Sequence, residues 1–323
     1  MKILITGATG LLGNNLVRLL LQSGRTVRAF VRQQGDRSLS GLDVTTTVGS
    51  VEDPVAVARA CENIDLIVHA AGDVHIGWTG RERQFAVNAQ GTQNVVEAAQ
   101  AAKARLIHVS SVNALGLGTA SSPATETTPS GGAVECGYVT SKRLAEQHVI
   151  DAVQKGLSAA IVNPGFMIGP WDWKPSSGKM LLQVHHRFTP FAPRGGCSVC
   201  DVRDVAQGIV NLIDRRPPAL QFILAGENVT YFDLWRRICR ITGSRGPIMR
   251  AGPLMCLIAG RFGDLRARWT GREDDVNSAT LRMSSQFHYY DSGRAAQFLN
   301  YRCRPVDESI QDAWNWFQEF GYV

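Results

Sequence analysis

The sequence predicts an α/β fold: a doubly wound parallel sheet with a smaller C-terminal part interleaved with it. Three observations predict it. The apolar run Ile3-Leu4-Ile5 leads directly into Gly7, Gly10 and Gly13 and then into a helical pattern. Apolar or β-branched strand-like runs then alternate with helical stretches through the first half of the chain, as parallel strands joined by crossover helices must. Finally, the second half shows no linker at which it would separate from the first.

Taken in order, Asn14 to Gln22 carries Leu16, Leu19 and Leu20 at helical spacing, and Gly24 closes that helix. Thr26 to Val31 is the second strand and the β-branched run Val44 to Val48 the third. Asp53-Pro54 starts a helix that reaches Cys61. Ile64 to His69 is the fourth strand, ending in Ala70-Ala71-Gly72. Helical residues run from Arg83 to Lys103 and the fifth strand from Arg105 to Val109. A Ser-, Thr-, Pro- and Gly-rich loop spans Thr119 to Gly137. A long helix follows from Tyr138 to Lys155, then a sixth strand, Ala159 to Asn163. Beyond Pro164 the pattern loosens. Trp171 to Pro193 reads as irregular, Ser198 to Val202 and Ala219 to Leu224 as returning strands, and Val229 to Ile241 and Gly252 to Trp269 as helices. The expected division is a dinucleotide-binding domain over 1–170, completed by 195–224. A substrate-binding domain is expected to take 171–194 and 225–323.

At 323 residues, 44% hydrophobic and 19% charged, the chain has the composition of a soluble globular protein. No apolar run is long enough to span a bilayer, and the apolar N-terminus leads into glycines rather than a signal-peptide cleavage site. A cytoplasmic protein without membrane partners is the expectation. The net charge of +6 comes from scattered basic residues with no nucleic-acid motif, so it favours an anionic cofactor or substrate over nucleic acid. Seven cysteines without regular spacing fit a reducing compartment. Cys197 and Cys200 form a CxxC with no second ligand pair, and they read as buried thiols. His75, His185 and His186 have no partners at metal spacing, and no metal is expected.

The glycine-rich turn is the first chemical signal. Glycines at this spacing allow a tight turn, close backbone approach to a pyrophosphate and close helix–strand packing, while the helix N-terminus offers free N–H groups to phosphate. The second signal is Tyr138 and Lys142, four apart on one face of a helix. A neighbouring ammonium is expected to lower the phenol pKa from about 10 towards the working range. Ser110-Ser111 ends the fifth strand, where a hydroxyl faces the cleft at the carboxyl edge of the sheet. A turn cap is the competing role for it. Trp78, Phe166, Met167, Trp171 and Trp173 are equally readable as pocket lining or as core.

Together these features resemble the short-chain dehydrogenase/reductase superfamily, specifically its extended branch, over nearly the whole chain. The motifs that carry the resemblance are Thr6-Gly7-Ala8-Thr9-Gly10-Leu11-Leu12-Gly13, His69-Ala70-Ala71-Gly72, Asn88-Ala-Gln-Gly91-Thr92, Val109-Ser110-Ser111, Tyr138-Val-Thr-Ser-Lys142 and Asn163-Pro164-Gly165. Within the branch the chain looks most like dihydroflavonol-4-reductase-like and hopanoid-associated sugar epimerase-like proteins, with support from Gly169-Pro170, Lys174-Pro175, Asp201-Val-Arg-Asp204, Gly226-Glu227-Asn228-Val229-Thr230 and Tyr290-Asp291-Ser292. The resemblance implies a Rossmann fold. It makes Tyr138 the general acid/base, Lys142 the holder of the nicotinamide ribose, Ser111 a hydrogen-bond partner of the reacting oxygen, and Asn88 a neighbour of the proton relay. It assigns the cofactor to Gly7, Thr9, Gly10, Leu11, Leu12 and Gly13, to Ala70, Ala71 and Gly72, and to Pro164 and Gly165. It also implies a homodimer paired through the two helices that carry Ala98, Ala99 and Ala145.

Two positions depart from the family pattern. The adenine-binding Asp after the third strand is replaced by Ser50, followed by Val51. The second strand ends without a carboxylate for the ribose 2′-hydroxyl and offers Arg28 and Arg32, with Arg37 on the next loop. Guanidinium groups there favour NADP(H), with NAD(H) the alternative. The expected activity is interconversion of a ketone and a secondary alcohol on a small organic substrate. A nucleotide-sugar epimerase or dehydratase is the competing reading, and a non-catalytic dinucleotide sensor the third.

Overall fold

Seven parallel strands run through the centre of the protein in a computed structural model that describes residues Met1–Val323. The first half alternates strictly: β1 (Lys2–Thr6), α1 (Leu11–Gln22), β2 (Thr26–Val31), β3 (Thr45–Val48), α2 (Pro54–Ala60) and β4 (Leu66–His69). Then come α3 (Arg81–Gln84), a π-helical turn over Phe85–Gln90, α4 (Gly91–Ala102), β5 (Arg105–Val109), α5 (Gly137–Gln154) and β6 (Ala159–Pro164).

The second half is interleaved with it through β7 (Phe166–Ile168), α6 (Gly178–His186), β8 (Phe191–Ala192), β9 (Gly196–Asp201), α7 (Val202–Arg215), β10 (Gln221–Leu224), β11 (Glu227–Thr230) and α8 (Tyr231–Thr242). The chain ends with β12 (Met249–Arg250), α9 (Pro253–Thr270), α10 (Ser278–Ser284), β13 (Phe287–His288), α11 (Gly293–Leu299) and α12 (Val306–Glu319).

The central sheet has the order β10-β6-β5-β4-β1-β2-β3. The strands all run the same way, but the order in which they are added reverses between β1 and β4, which opens a crevice at their carboxyl ends. Residues alternate between the two faces with the period of a strand. Ile3 and Ile5 pack with Leu16 and Leu20 of α1 and with Ile209 of α7. Leu4 points the other way, into the layer built by Val57, Val95, Ala99 and Val149.

A smaller mixed sheet joins β7, β9, β11 and β13. The run around Ser198 is indeed a strand, but it lies in this second sheet, and Val202 already begins α7. Asp201 caps that helix by accepting from the Arg203 backbone N–H at 2.8 Å, and Asp204 pairs with Arg304 at 2.7 Å. Both acids therefore hold the fold together.

One expectation for this half is corrected and one open alternative is decided. The segment after Trp171 is not irregular throughout, because α6 forms over Gly178–His186 and buries Leu181 and Val184. Trp171 and Trp173 face the C-terminal helix instead of a free pocket. Trp173 meets Trp316 and Phe320 edge-on at 5.2 and 4.8 Å, and the Arg18 guanidinium lies 3.4 Å over the Trp171 ring. Cys197 and Cys200, three apart on one strand, point into different cores. Burial pushes the Cys197 thiol up to about 12, as expected of an inert thiol.

Candidate functional site

The glycine turn between β1 and α1 is shaped by contacts that exclude a side chain. Gly7 has φ +70°, and a Cβ there would lie 2.6 Å from the Ala70 backbone. One on Gly13 would stand 2.1 Å from the Gly7 carbonyl oxygen, so α1 packs directly on the turn. Gly10 is exposed and forms the N-cap of α1 without any side-chain capping bond. The first N–H groups of α1 at Leu11 and Leu12 are thus left for an outside acceptor, and an anion suits both them and the helix dipole. Thr9 is half-buried on the same turn. The residues here fit a pyrophosphate.

Thr6 and His69 are register partners on β1 and β4. The Thr6 hydroxyl and His69 Nδ1 are 2.7 Å apart, and His69 Nε2 is 3.0 Å from the Thr92 hydroxyl. Thr92 donates to the Asn88 carbonyl at 2.6 Å, so it accepts from His69 Nε2–H, and His69 Nδ1 accepts from Thr6. The Thr6 oxygen in turn accepts from Ala71 N–H at 3.2 Å. Every polar atom in this buried chain is used with a neutral imidazole. Burial pushes the His69 pKa down to about 3, with the charge of Lys142 adding to it.

Asn88, in the π-helical turn, reaches across to the segment after β4. Its Oδ1 accepts from Asp73 N–H at 2.8 Å, and its Nδ2 donates to the Asp73 carbonyl and to Ser141 Oγ on α5. Gly72 lies against both Asn88 and Lys142, since a Cβ there would meet Asn88 Oδ1 at 3.2 Å and Lys142 Nζ at 3.4 Å. One asparagine therefore joins β4, the π-helical turn and α5 at the expected site.

Ser111, Tyr138 and Lys142 are all buried and converge on this place. Ser111 does cap the short turn after β5, accepting from Asn113 N–H at 3.2 Å, and its hydroxyl also bears on the Tyr138 phenol. Lys142 donates to the Val109 carbonyl at 3.0 Å. The expectation that Lys142 lowers the tyrosine pKa is corrected here. Burial dominates and raises Tyr138, and the Ser111 hydrogen bond opposes it. The ammonium is turned towards the β5 carbonyl, and burial brings Lys142 itself down to about 8 against the pull of Glu146.

Glu146 escaped the sequence reading, although it stands four residues after Lys142 on the same helix face. It is buried and accepts from Asn163 Nδ2 at 2.6 Å, while the same Nδ2 donates to the Ser111 carbonyl at 2.9 Å. Asn163 thereby links β6, α5 and the Ser111 backbone. Pro164 and Gly165 follow at the sheet edge, where a Cβ on Gly165 would lie 2.6 Å from the Ser198 carbonyl oxygen.

At the adenosine end the arginines separate. Arg28 donates to the Ala60 and Glu62 carbonyls at 2.9 Å each, and Arg37 stacks near Trp173 and donates to the Tyr322 hydroxyl. Arg32 is exposed at the end of β2 and makes no ion pair or hydrogen bond. Ser50 donates to Glu52 at 2.9 Å, and the Val51 carbonyl accepts from Asn94 at 2.8 Å.

The seven-stranded sheet, the uncapped glycine turn at its switch point and the buried Ser/Tyr/Lys cluster define a dinucleotide-binding α/β enzyme. The chain belongs to the NAD-dependent epimerase/dehydratase family, whose profile matches residues 3–220, and so to the extended short-chain dehydrogenase/reductases. It is 33% identical to a protein of Synechocystis provisionally named dihydroflavonol 4-reductase, over 99% of this chain and 95% of that one. It is 32% identical to "Sterol demethylase protein B" of Methylococcus capsulatus, with 100% of both chains covered. Among solved structures it is similar to the crystal structure of gox2253, at 33% identity and a TM-score of 0.86, with 100% of this chain and 99% of that chain covered.

Proposed function

We propose that this enzyme interconverts a ketone and a secondary alcohol on a small organic substrate, with NADP(H) as the hydride carrier. The observation that carries the reading is the burial of Ser111, Tyr138 and Lys142 together, with Lys142 on the Val109 carbonyl at the end of β5. Pure binding has no use for that trio. The nicotinamide, when bound, supplies or accepts the hydride. Tyr138, raised by burial, holds its proton at neutral pH and so offers it to the carbonyl oxygen during reduction. Ser111 keeps the phenol oriented and offers a second hydrogen bond to that oxygen. Lys142, with Glu146 beside it, presents an ammonium to the ribose hydroxyls. Asn88 is a positioning residue that holds the Asp73 backbone and α5 in place.

The test is Tyr138→Phe, which keeps the ring and removes the proton. Loss of a general acid typically costs about a hundred- to ten-thousand-fold. Turnover is expected to fall in that range with cofactor affinity nearly unchanged, and retention of most activity would overturn the assignment.

For the cofactor, Arg32 is the guanidinium left free for a 2′-phosphate, while Arg28 and Arg37 are engaged within the protein. Titration calorimetry is expected to show NADPH bound more tightly than NADH. Arg32→Asp should weaken NADPH and leave NADH equal or better. Wild-type preference for NADH, with cofactor retained through purification, would favour an NAD-dependent epimerase instead.

A further inference from the structure

The helix α9 is built inside out. Its packed face is made of small residues: a Cβ on Gly260 would meet Ser278 Cα at 2.9 Å, and one on Gly263 would meet the Val276 carbonyl oxygen at 1.9 Å. Its large apolar residues face away. Leu254, Ile258, Phe262, Leu265 and Trp269 recur at spacings of three and four, so they form one stripe, and all are exposed, Phe262 at 68% and Trp269 at 82%. A monomer rarely leaves so long an apolar stripe in water without a use for it. At about 1.5 Å per residue, the helix lays out roughly 27 Å of such surface.

The charges around the stripe say what covers it. Residues 245–272 contain six arginines and a single acidic residue, Asp264. Asp264 is occupied, accepting from Ser278 N–H at 2.9 Å. On the helical wheel Arg261 and Arg268 flank one side of the stripe and Arg266 the other, and only Arg266 is paired, with Asp274. The strand β12, which leads into α9, adds exposed Met249 and Arg250, and Ile248 just before it is exposed as well. A stripe of aliphatic and aromatic side chains with arginines along its borders matches the boundary of an anionic bilayer, with apolar groups in the acyl region and guanidinium groups among the phosphates. A protein partner would have to supply a long apolar groove lined with acids.

We propose that α9 docks the enzyme on the surface of an anionic lipid bilayer, lying in the interface without crossing it. No helix of the protein is long and apolar enough to cross a membrane. The absence of a spanning run in the sequence excludes a crossing helix and leaves a surface helix open. The docked helix is coupled to the candidate active site. Just beyond its C-terminus, Glu273 accepts from Trp78 N–H and Thr79 N–H at 2.9 Å each and lies 3.0 Å from His75 Nε2. Those residues belong to the segment that follows β4 and is held at Asp73 by Asn88.

The experiment is co-sedimentation of the full chain with vesicles of phosphatidylcholine alone or mixed with phosphatidylglycerol, without substrate or cofactor, so the outcome does not depend on the proposed reaction. Wild type is expected to bind the mixed vesicles roughly tenfold or more better than the neutral ones. Phe262→Ser with Trp269→Ser should abolish that binding while circular dichroism and cofactor binding stay as in wild type. Arg261→Glu with Arg268→Glu, which leaves the apolar stripe intact, should weaken it to the level of neutral vesicles. Wild type remaining in the supernatant with both vesicle types would overturn the proposal, as would either variant binding like wild type. A wild-type dimer that the Phe262/Trp269 variant dissociates, with no vesicle binding, would assign the face to a second copy instead.

Discussion

At the residue scale, Tyr138 and Lys142 illustrate how burial redirects a familiar pair. Four-residue spacing puts the two on one face of α5, yet the lysine bonds to a backbone carbonyl and burial, not the ammonium, sets the direction in which the phenol shifts. The lysine pKa is the one brought towards neutrality, to about 8. Its ammonium is present below that value and lost above it, so cofactor affinity is expected to decline as pH rises through about 8. Lys142→Arg, which cannot lose its proton there, should bind cofactor without that decline if it fits. Calorimetric titrations between pH 7 and pH 9 would check this, and a flat wild-type profile would refute it. Gly13 makes a second residue-scale case. The methyl of Gly13→Ala would meet the Gly7 carbonyl oxygen, a backbone atom with nowhere to go. Overpacking costs about 1–3 kcal/mol in general, and urea unfolding of this variant should show a loss at or above that range.

At the element scale, the strands and helices around the site are joined by a continuous polar chain, Thr6–His69–Thr92–Asn88, and not by apolar packing alone. It binds β1 to β4 and both to the π-helical turn. Thr92→Val keeps the shape but leaves His69 Nε2–H without an acceptor. A buried donor left unpaired costs about 1–3 kcal/mol. The variant is expected to be destabilised by that amount in denaturant titration, whereas a neutral result would mean the imidazole has turned to another partner. The helix α5 is a further case of an element read correctly in extent. Ala98 and Ala99 of α4 and Ala145 of α5, carried by the two helices expected to pair, are buried within one protomer. Pairing through α4 and α5 would have to use outward residues such as Leu144, which is exposed. Sedimentation at micromolar concentration tests whether a dimer forms, and a monomer would count against it.

At the scale of the whole molecule, buried neutral histidines make stability depend on acid. His69 is held down to about 3 and His288 to about 4, both by burial. His108, also fully buried, is pushed well below its ordinary value for the same reason. Their folded pKa values lie below the ordinary 6.5, so in that interval the unfolded chain binds more protons than the folded one, and stability falls as pH falls. Between pH 6.5 and 5, His69 and His288 should each account for about 2 kcal/mol of loss. Thermal unfolding is expected to shift downwards from pH 7 to pH 5, and His288→Leu should make the slope shallower. An unchanged melting temperature over that range would show that the imidazoles escape burial before they must protonate.

What the sequence determined by itself is what short-range pattern encodes. Continuous apolar and β-branched runs set the strands of the parallel sheet, the Gly7/Gly10/Gly13 spacing set the turn, and the order of the motifs set the family. These are local signals, because strand period, helix period and left-handed backbone depend on near neighbours. Only the tertiary structure decided the rest. Whether Arg28, Arg32 or Arg37 is free depends on carbonyls and aromatic rings up to hundreds of residues away. Trp171 and Trp173 are half-buried against the core because α12 returns to pack on them. Glu146 matters because β6 brings Asn163 to it. Even α9, whose helical period was plain, hid which face was inside, since a helix of small and large residues can pack on either. The small face won because Gly260 and Gly263 let the Val276–Ser278 backbone come close, and that left the apolar stripe to the solvent.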